Sequence, residues 1–299
     1  MNMRGSLILG FADYREPAQR LAAAAGMDYA EVQVHRFPDG ESRLQLPAKL
    51  PEQVILCRSL DQPNSKLVEL ELAAVTAREL GARHLTLVAP YLCYMRQDTA
   101  FHPGEAVSQR IVGQWLARLV DAVITVDPHL HRTPHLRDAV PVHRALSLSA
   151  GPLLGQWLEG RPAAPLLLGP DSESAPWVKS IARLAGLDYG VASKERLGDR
   201  EVRVTLPDLD VAGRDVVLVD DIASTGRTLA AAATQVLAKG ARKVDVLVTH
   251  ALFAGDALEI LQAAGVGEVL STDSVRHASN RVELAPLLAE ALKTVAETD

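Results

Sequence analysis

Two adjacent carboxylates and a run of small polar residues stand between an apolar stretch and an alanine-rich helical pattern. Residues 216–228 read VVLVDDIASTGRT: four apolar residues predict a short buried strand, Asp220 and Asp221 follow at its end, and a helix is expected from Leu229. Ligands of open α/β sheets bind beyond the carboxyl ends of the strands, and a helix N-terminus suits a phosphate. The segment therefore predicts a phosphate cradle whose two acids hold sugar hydroxyls or Mg²⁺.

A strand–helix unit without this function can also end in Asp-Asp and open its helix with Thr, so the elements alone leave both interpretations open. The order of residues is more specific. An apolar run, Asp-Asp, three residues and Thr-Gly-x-Thr resemble the phosphoribosyl-diphosphate (PRPP) loop of the type I phosphoribosyltransferase fold. In that superfamily the loop binds a ribose 5-phosphate and the acids face the ribose hydroxyls. This resemblance does not distinguish an enzyme that makes PRPP from one that uses it.

Charged and polar residues follow other predicted strands. Arg96 comes after the apolar run 85–89, where a guanidinium can bind phosphate oxygens or simply pair with a surface acid. His129 and His131 follow the apolar run 122–126, and an i, i+2 pair can place one imidazole on a metal and one on a nucleotide. No third His or Cys stands nearby with zinc spacing, so zinc is not expected.

Three further segments each have a functional and a structural interpretation. Asp171 follows the apolar run 166–169 and either binds a ligand or caps a helix. The charged stretch from Lys194 to Arg203 is either a solvated hairpin or a cationic lid over a polyphosphate, with Lys194 and Arg196 as the cations. Phe37 either stacks on a base or anchors its turn in a core, and taken alone it favours the core.

Composition excludes several classes of function. The chain has 299 residues, is 48% hydrophobic and 4% aromatic, and carries a net charge of −6 without a basic tract, so nucleic acid is not the expected partner. No signal peptide is recognised, and no apolar run approaches the ~20 residues of a membrane span. Cys57 and Cys93 are far apart in or near apolar runs and are interpreted as reduced core residues, which predicts a cytoplasmic protein.

Apolar runs alternate with helical patterns along the whole chain, which predicts an α/β fold with parallel sheets flanked by helices. Residues 82–88 (ARHLTLV) and 241–247 (ARKVDVL) are alike, and each follows a helical pattern that ends in Gly. We interpret this as two domains of similar fold, 1–145 and 146–299, with the terminal helix, 285–295, placed back on the N-terminal domain. A generic βα rhythm is the alternative.

Taken together, the motifs resemble the PRPP synthetase (ribose-phosphate diphosphokinase) family. Seven of them match in order: Phe37-x-x-x-Glu41, Arg96-Gln97-Asp98, Asp127-x-His129, Pro170-Asp171, Lys194-Glu195-Arg196, Asp220-Asp221 with Thr225-Gly226-x-Thr228, and Thr249-His250-x-x-Phe253. Departures from the commonest pattern, among them Ser172-Glu173 and Arg227, favour the archaeal-type (class III) branch and leave the effect of phosphate and ADP open. The helix start gives Arg227 a negative φ, so this side chain is not expected to break the loop.

The resemblance implies two type I phosphoribosyltransferase-like domains, ATP and ribose 5-phosphate as substrates, Mg²⁺ as cofactor, and a homodimer or higher homo-oligomer. It implies transfer of the β,γ-diphosphoryl group of ATP to the C1 hydroxyl of ribose 5-phosphate. The alternatives are a phosphoribosyltransferase and a non-catalytic, synthetase-like regulatory subunit. The implied roles are ATP binding by Phe37, Asp39, Glu41, Arg96 and Gln97; metal binding by His129 and Asp171; ribose 5-phosphate binding by Asp220, Asp221, Ser224, Thr225, Gly226, Arg227 and Thr228; and catalysis by Lys194 and Arg196.

Overall fold

The computed structural model describes residues 5–159, 164–196 and 202–296, with the backbone alone at 194–196, 202–204 and 296. The chain forms two compact units, and each is described by itself. The first unit comprises the residues up to Leu148 together with those from Glu283 onward. The second unit is the continuous segment Ser149–Val282.

The first unit is built on a seven-stranded sheet with the strand order β3-β2-β1-β4-β5-β6-β7. All neighbouring strands run parallel except β2 and β3, which form an antiparallel hairpin at one edge. Its described elements are β1 Leu7–Phe11, α1 Arg15–Ala25, β2 Asp28–Arg36, β3 Ser42–Gln45, β4 Gln53–Cys57, α2 Pro63–Glu79, β5 His84–Val88, α3 Ser108–Leu119, β6 Ala122–Val126, α4 Leu136–Ala139, β7 Arg144–Leu148 and the C-terminal helix α9, Ala285–Ala296.

The second unit has a six-stranded parallel sheet with the order β15-β14-β13-β12-β8-β9, and a separate antiparallel pair, β10 and β11. Its described elements are α5 Gly151–Glu159, β8 Leu166–Gly169, α6 Ala175–Ala185, β9 Tyr189–Val191, β10 Ser193–Arg196, β11 Val202–Thr205, β12 Asp215–Ala223, α7 Arg227–Ala238, β13 Lys243–Ala251, α8 Ala257–Ala263, β14 Val269–Thr272 and β15 Asn280–Val282.

The central strands form because they are short apolar runs that helices cover. All five residues of β6 and all four of β8 are buried, as expected for parallel strands covered on both faces. The aliphatic core of the second unit is formed largely by β12, β13 and the alanine-rich face of α7. The predicted α/β class with two mostly parallel sheets is confirmed.

The C-terminal helix α9 belongs to the first unit and packs on α1, the first helix of the chain. Arg20 of α1 pairs with Glu283 just before α9, at 3.3 Å. Leu288 and Leu292 are buried on the inner face of α9. None of the helices described above has the combination of length and apolar character that crossing a bilayer requires.

Candidate active site

The acids of the phosphate-loop segment lie inside a strand, which corrects the sequence interpretation. Asp220 and Asp221 were expected after the end of a four-residue strand, but β12 continues through them to Ala223. The extension has a physical cause: β13 is equally long and pairs in register up to Ala223 and Ala251, so the ladder continues past the polar residues. The following helix α7 begins at Arg227, two residues before the expected start at Leu229.

The loop between β12 and α7 depends on one glycine. Gly226 has φ of 69°, in the left-handed region, and precedes α7 directly. Arg227 is the first helical residue and is not one of the described residues with positive φ, as its position at a helix start implied. The amide groups of the first helical turn have no carbonyl partner ahead of them in the helix, so they face the loop as an anion site. Ser224, Thr225 and Thr228 add hydroxyls around this helix start.

We expect the change Gly226→Ala to destabilise the protein and to weaken the ribose 5-phosphate binding that the sequence motif implies. An alanine there takes a left-handed conformation that costs about 1–2 kcal/mol. Its Cβ would also lie 3.1 Å from the carbonyl oxygen of Ala257 and 3.3 Å from Cγ of Leu261. Gly213→Ala is the matched control, because Gly213 has φ of 70° and open space around its Cβ position.

Denaturant unfolding and the KM for ribose 5-phosphate, measured on both variants, test this expectation. Gly213→Ala should show only the backbone cost and an unchanged KM. Equal effects of the two substitutions on both quantities would show that the contacts of Gly226 with α8 do not matter.

Three carboxylates of the second unit lie close enough to influence each other. Asp221 is buried, and Oδ1 of Asp220 accepts a hydrogen bond from the backbone N–H of Asp221 at 2.9 Å. The pKa of Asp220 is raised well above its usual value, first by burial and then by the negative charges of Asp221 and Asp171. The cluster therefore concentrates negative charge that a bound cation would neutralise.

Asp171 follows β8 and serves as a cap, one of the two roles considered from its sequence. Its Oδ1 accepts hydrogen bonds from the backbone N–H groups of Glu173 at 3.0 Å and Ser174 at 3.3 Å, at the start of a short 3₁₀ turn. These bonds fix the orientation of a buried carboxylate at the carboxyl end of a strand. A cap and a ligand-binding role are compatible, because a carboxylate has two oxygens.

The described ends of the charged stretch that follows β9 are two paired strands. β10 and β11 pair antiparallel, with Lys194 opposite Val204 and Arg196 opposite Val202. The side chains of Lys194 and Arg196 lie outside the described part of the structure, so their predicted catalytic role rests on the sequence motif.

The segment predicted to bind ATP is the exposed turn of the β2–β3 hairpin. The N–H of Phe37 donates to the carbonyl of Glu41 at 2.8 Å, and the N–H of Glu41 donates to Asp39 at 3.2 Å. Phe37 is 40% exposed and lies edge-on to His35, with 4.8 Å between ring centroids. The core position favoured for Phe37 alone is therefore wrong, since the tip of a two-stranded hairpin at the sheet edge has no core around it. The exposed ring is available for stacking on a base.

A buried ion network holds the base of this hairpin. Glu69 of α2 is 1% exposed, and its Oε1 accepts from Arg36 Nε at 3.1 Å and from Ser42 Oγ at 2.9 Å, one residue on each hairpin strand. Its Oε2 accepts from the buried Arg58 at 2.6 Å, and Arg58 in turn pairs with Asp13 at 3.1 Å. The turn is thus attached through charged hydrogen bonds to the carboxyl edge of the sheet.

The network predicts a loss of stability in acid. Burial acts to raise the pKa of Glu69, but hydrogen bonds from Arg58, Arg36 and Ser42 outweigh it and the pKa is lowered. A lowered folded-state pKa contributes stability that is fully present above the unfolded value of about 4.3 and is lost as pH falls through the folded value. Glu69→Gln should therefore be less stable than the wild type at pH 7, with a difference that shrinks below about pH 4.3.

Urea unfolding of both proteins between neutral and acid pH measures this difference. Glu52→Gln, which changes an ion pair exposed on both sides, is the control and should leave the pH dependence unchanged. A constant difference between wild type and Glu69→Gln would contradict the expectation.

The loop after β5 carries the predicted residues Arg96 and Gln97. Arg96 is exposed, and its guanidinium has no hydrogen-bond or ion-pair partner within the part of the chain that the structure describes. Gln97 Oε1 accepts from Ser108 Oγ at 2.7 Å, and the neighbouring Asp98 accepts from Arg132 at 2.8 Å. On the other side of Arg96, the backbone carbonyl of Met95 accepts from Gln109 Nε2 at 3.2 Å. The loop therefore fixes a solvent-facing cation, which favours the phosphate-binding interpretation of Arg96 over the surface-pair interpretation.

His129 follows β6 and packs on the other predicted histidine. The rings of His129 and His131 are edge-on, 3.8 Å apart between centroids, with their Nε2 atoms in hydrogen-bond contact. Just before them, Asp127 is buried and has φ of 38°, an uncommon conformation for a non-glycine residue that often marks functional sites. His129 belongs to the first unit and Asp171 to the second.

Two family models match the chain. Residues 7–119 match the N-terminal domain of ribose phosphate pyrophosphokinase. Residues 201–297 match the phosphoribosyl synthetase-associated domain.

Curated relatives match over nearly the full length. The chain is 33% identical to the ribose-phosphate pyrophosphokinase of Methanopyrus kandleri over 97% of this chain and 99% of that one. The chain belongs to the ribose-phosphate pyrophosphokinase family. It is also 35% identical to ribose-phosphate pyrophosphokinase 2 of Archaeoglobus fulgidus, over 91% of this chain and 95% of that one. Both relatives are archaeal, in agreement with the predicted branch of the family.

A solved structure supports the fold of this family member. The crystal structure of phosphoribosylpyrophosphate synthetase from Mycobacterium smegmatis matches with a TM-score of 0.83 over 98% of this chain and 100% of that chain, at 23% identity. The predicted phosphoribosyltransferase-like α/β architecture agrees with this match.

The sequence interpretation missed the residues of this family member that hold its loops. Arg58 and Glu69 are almost fully buried charges, and the sequence signal was an arginine directly after the apolar strand β4 and an acid within the apolar half of α2. His277 also escaped notice; it lies in the loop between β14 and β15 and contacts Phe253. A lone histidine in a loop carries no sequence pattern that distinguishes it.

Proposed function

We propose that this chain catalyses the transfer of the β,γ-diphosphoryl group of ATP to the C1 hydroxyl of ribose 5-phosphate, giving PRPP and AMP. The observation that carries the proposal is the phosphate loop of β12 and α7 in a chain that aligns over 97% of its length with a ribose-phosphate pyrophosphokinase. The other motifs of that family are present in order. A phosphoribosyltransferase does not account for this full-length agreement. A non-catalytic subunit is disfavoured because Lys194, Arg196, His129 and Asp171 are all present, whereas such subunits lose or interrupt the catalytic segment.

The second unit is proposed to hold ribose 5-phosphate. The first-turn amides of α7 and the hydroxyls of Ser224, Thr225 and Thr228 bind the 5-phosphate, with Gly226 and Arg227 completing the loop. Asp220 and Asp221 accept hydrogen bonds from the ribose hydroxyls. Holding both ends of the sugar directs the C1 hydroxyl toward the phosphorus that it attacks, which is the main contribution that positioning makes to phosphoryl transfer.

Mg²⁺ fits the acidic residues of the second unit. Carboxylate oxygens are the ligands that Mg²⁺ prefers. Burial first, and then the negative charges of Asp221 and Asp171, raise the pKa of Asp220, so a cation beside these acids would be favourable. We propose Asp171 as a metal ligand of the second unit, with Asp220 and Asp221 near a second ion. His129 is likewise proposed as a metal ligand, in the first unit. When bound, Mg²⁺ neutralises charge on the phosphate oxygens.

The first unit is proposed to hold ATP. Phe37 stacks on the adenine while Asp39 and Glu41 accept hydrogen bonds from it, and Arg96 and Gln97 bind the phosphates and the adenosine. The exposed ring of Phe37 and the solvent-facing guanidinium of Arg96 support these roles.

Lys194 and Arg196 are proposed to stabilise the diphosphoryl group as it moves. Charge on the transferred group rises toward the transition state, so cations placed there contribute more to the rate than to ground-state binding. Exclusion of water from the reacting phosphates would also protect ATP from hydrolysis.

A coupled assay tests the proposal directly. The protein is incubated with ATP, Mg²⁺ and ribose 5-phosphate, and AMP and PRPP are measured. Equal amounts of the two products, both dependent on ribose 5-phosphate, are expected. ATP consumption without PRPP, or no reaction at any concentration of ATP, Mg²⁺ and ribose 5-phosphate, would refute it.

We propose that the enzyme forms a homodimer or a higher homo-oligomer through α2 of the first unit. Val68, Leu72 and Val75 follow i, i+4, i+7 spacing and are between 42% and 51% exposed, so they form an apolar stripe on the outer face of the helix. A second copy of the chain covers such a stripe in a self-complementary way.

Leu72→Glu is therefore expected to reduce the oligomer to a smaller species, measured by light scattering after gel filtration. Leu258→Glu changes an equally exposed leucine, 42%, on α8 of the second unit and serves as the control. An unchanged mass for Leu72→Glu, or the same change for both variants, would refute α2 as the interface.

A cytoplasmic location stays a prediction from the sequence.

A further inference from the structure

The motif Thr249-His250-x-x-Phe253 has no role in the proposed reaction, yet it contacts the phosphate loop. The N–H groups of Leu252 and Phe253 both donate to the carbonyl of Ala223, at 3.1 Å and 2.9 Å. The N–H of Ala254 donates to the carbonyl of Ser224 at 2.9 Å. The segment after β13 therefore fixes the backbone at the residues where β12 ends and the phosphate loop begins.

Phe253 makes these bonds in an unfavourable conformation. Its φ is 31°, which is rare for a bulky residue because the side chain crowds its own backbone. Such strain persists only where surrounding contacts determine the conformation. One such contact is made by the imidazole of His277. It lies against the ring of Phe253, with 4.9 Å between centroids and an interplanar angle of 43°.

His277 is itself fixed by hydrogen bonds. Its Nδ1 accepts from the backbone N–H of Ser279 at 3.1 Å, so this nitrogen carries no proton, and the Ser279 hydroxyl lies 2.7 Å away. The hydroxyl of Ser279 also bonds that of Ser271 at 2.7 Å, and Asn280 donates to Ser271 at 3.0 Å. The imidazole therefore has one tautomer and one orientation, held by buried groups of β14 and β15.

The first half of the motif is anchored to the same loop. Ser274 Oγ donates to the carbonyl of Thr249 at 2.8 Å and lies 2.9 Å from Nδ1 of His250. Because its single hydroxyl proton is used on Thr249, the imidazole of His250 must donate through Nδ1–H. The loop between β14 and β15 thus fixes His250, which precedes Phe253 in the chain. The same loop contains His277, which contacts Phe253.

We propose that His277 is a positioning residue for the ribose 5-phosphate loop, acting through the ring of Phe253 on the backbone of Ala223 and Ser224. The proposal rests on the proposed function of the same site. The proposal predicts an effect on ribose 5-phosphate binding and not on ATP binding. The imidazole fixes where the phosphate loop begins, and no described contact joins it to the residues proposed to bind ATP.

The test compares steady-state kinetics of the full-length wild type, His277→Ala, His277→Phe and Asp245→Asn. His277→Ala should raise the KM for ribose 5-phosphate roughly tenfold, equivalent to about 1.4 kcal/mol, with kcat and the KM for ATP within about twofold. His277→Phe keeps a ring against Phe253 and should restore part of the lost affinity. Asp245→Asn disturbs the other end of β13, where Asp245 accepts from the N–H of Glu268 at 2.8 Å, and should leave both KM values unchanged.

Phe253→Leu, which removes the ring from the other side of the contact, should raise the same KM and supplies the result if His277→Ala does not fold. An unchanged KM for ribose 5-phosphate in the folded variants would overturn the proposal. Equal increases in both KM values, with no recovery in His277→Phe, would also overturn it. Failure of the proposed function is distinguished from both results because the wild type itself would then form no PRPP.

Discussion

Replacing Arg58 with alanine is expected to lower the free energy of unfolding by about 3–5 kcal/mol, the usual cost of removing one member of a buried ion pair. Arg58 is 2% exposed, bonds Glu69 Oε2 at 2.6 Å and Asp13 at 3.1 Å, and stacks on Phe11 at 4.2 Å. Without the guanidinium, Glu69 stays buried and loses one of its two cations. The cost is high because the remaining carboxylate cannot reach water.

Urea denaturation of the Arg58→Ala protein measures this effect. Arg83→Ala is the matched control, because Arg83 pairs with Glu52 at 3.2 Å while the two side chains are 74% and 73% exposed. That change should cost no more than about 1 kcal/mol. Similar losses in the two variants would mean that the network around Glu69 is not a stabilising element. Arg58→Lys, which keeps the charge but loses the second bond, should lie between them.

Replacing Lys194 with alanine is expected to lower kcat by about 10²–10³-fold while ATP affinity changes by less than about threefold. The proposed role of Lys194 is to meet charge that develops on the diphosphoryl group, so its removal raises the barrier more than it weakens the substrate complex. The antiparallel pairing of β10 with β11 gives the residue a defined place on a strand of a hairpin.

Single-turnover kinetics and direct ATP titration separate the two quantities for Lys194→Ala. Lys239→Ala removes an equal charge from the exposed end of α7 and should leave both unchanged. Parallel losses of kcat and of ATP affinity would show that Lys194 binds the ground state, and its assignment to the transition state would be wrong.

The central strands and the C-terminal helix were predictable because their patterns are local. The runs that form β6 and β8 are buried at every position and apolar except at Thr125, and the predicted bounds agree with the structure. The hairpin strands β2 and β3 were not predicted, since at the sheet edge most of their residues face solvent and no apolar run marks them. The length of β12 was underestimated for a different reason: its continuation through Asp220 and Asp221 depends on pairing with β13, which is a tertiary effect.

The residues of the candidate site also divide into those predictable from local sequence and those determined by tertiary contacts. Residues in sequence motifs, such as Gly226 and Phe37, could be proposed from their order along the chain. Glu69 and His277 could not, because their importance comes from what they touch: two hairpin strands in one case and a strained phenylalanine in the other. Side chains that position a loop are selected by packing partners distant in sequence, and a single sequence does not display those partners.

The packing of α9 on α1 has a consequence for biosynthesis. A ribosome releases the first strands and α1 early, but their covering helix is made only after the whole of Ser149–Val282 has been translated. The continuous second unit can therefore complete its core first, against the usual order in which N-terminal domains fold ahead. Until α9 is made, the part of the surface of α1 that α9 covers stays exposed, and we expect chaperones to bind the nascent chain at this stage.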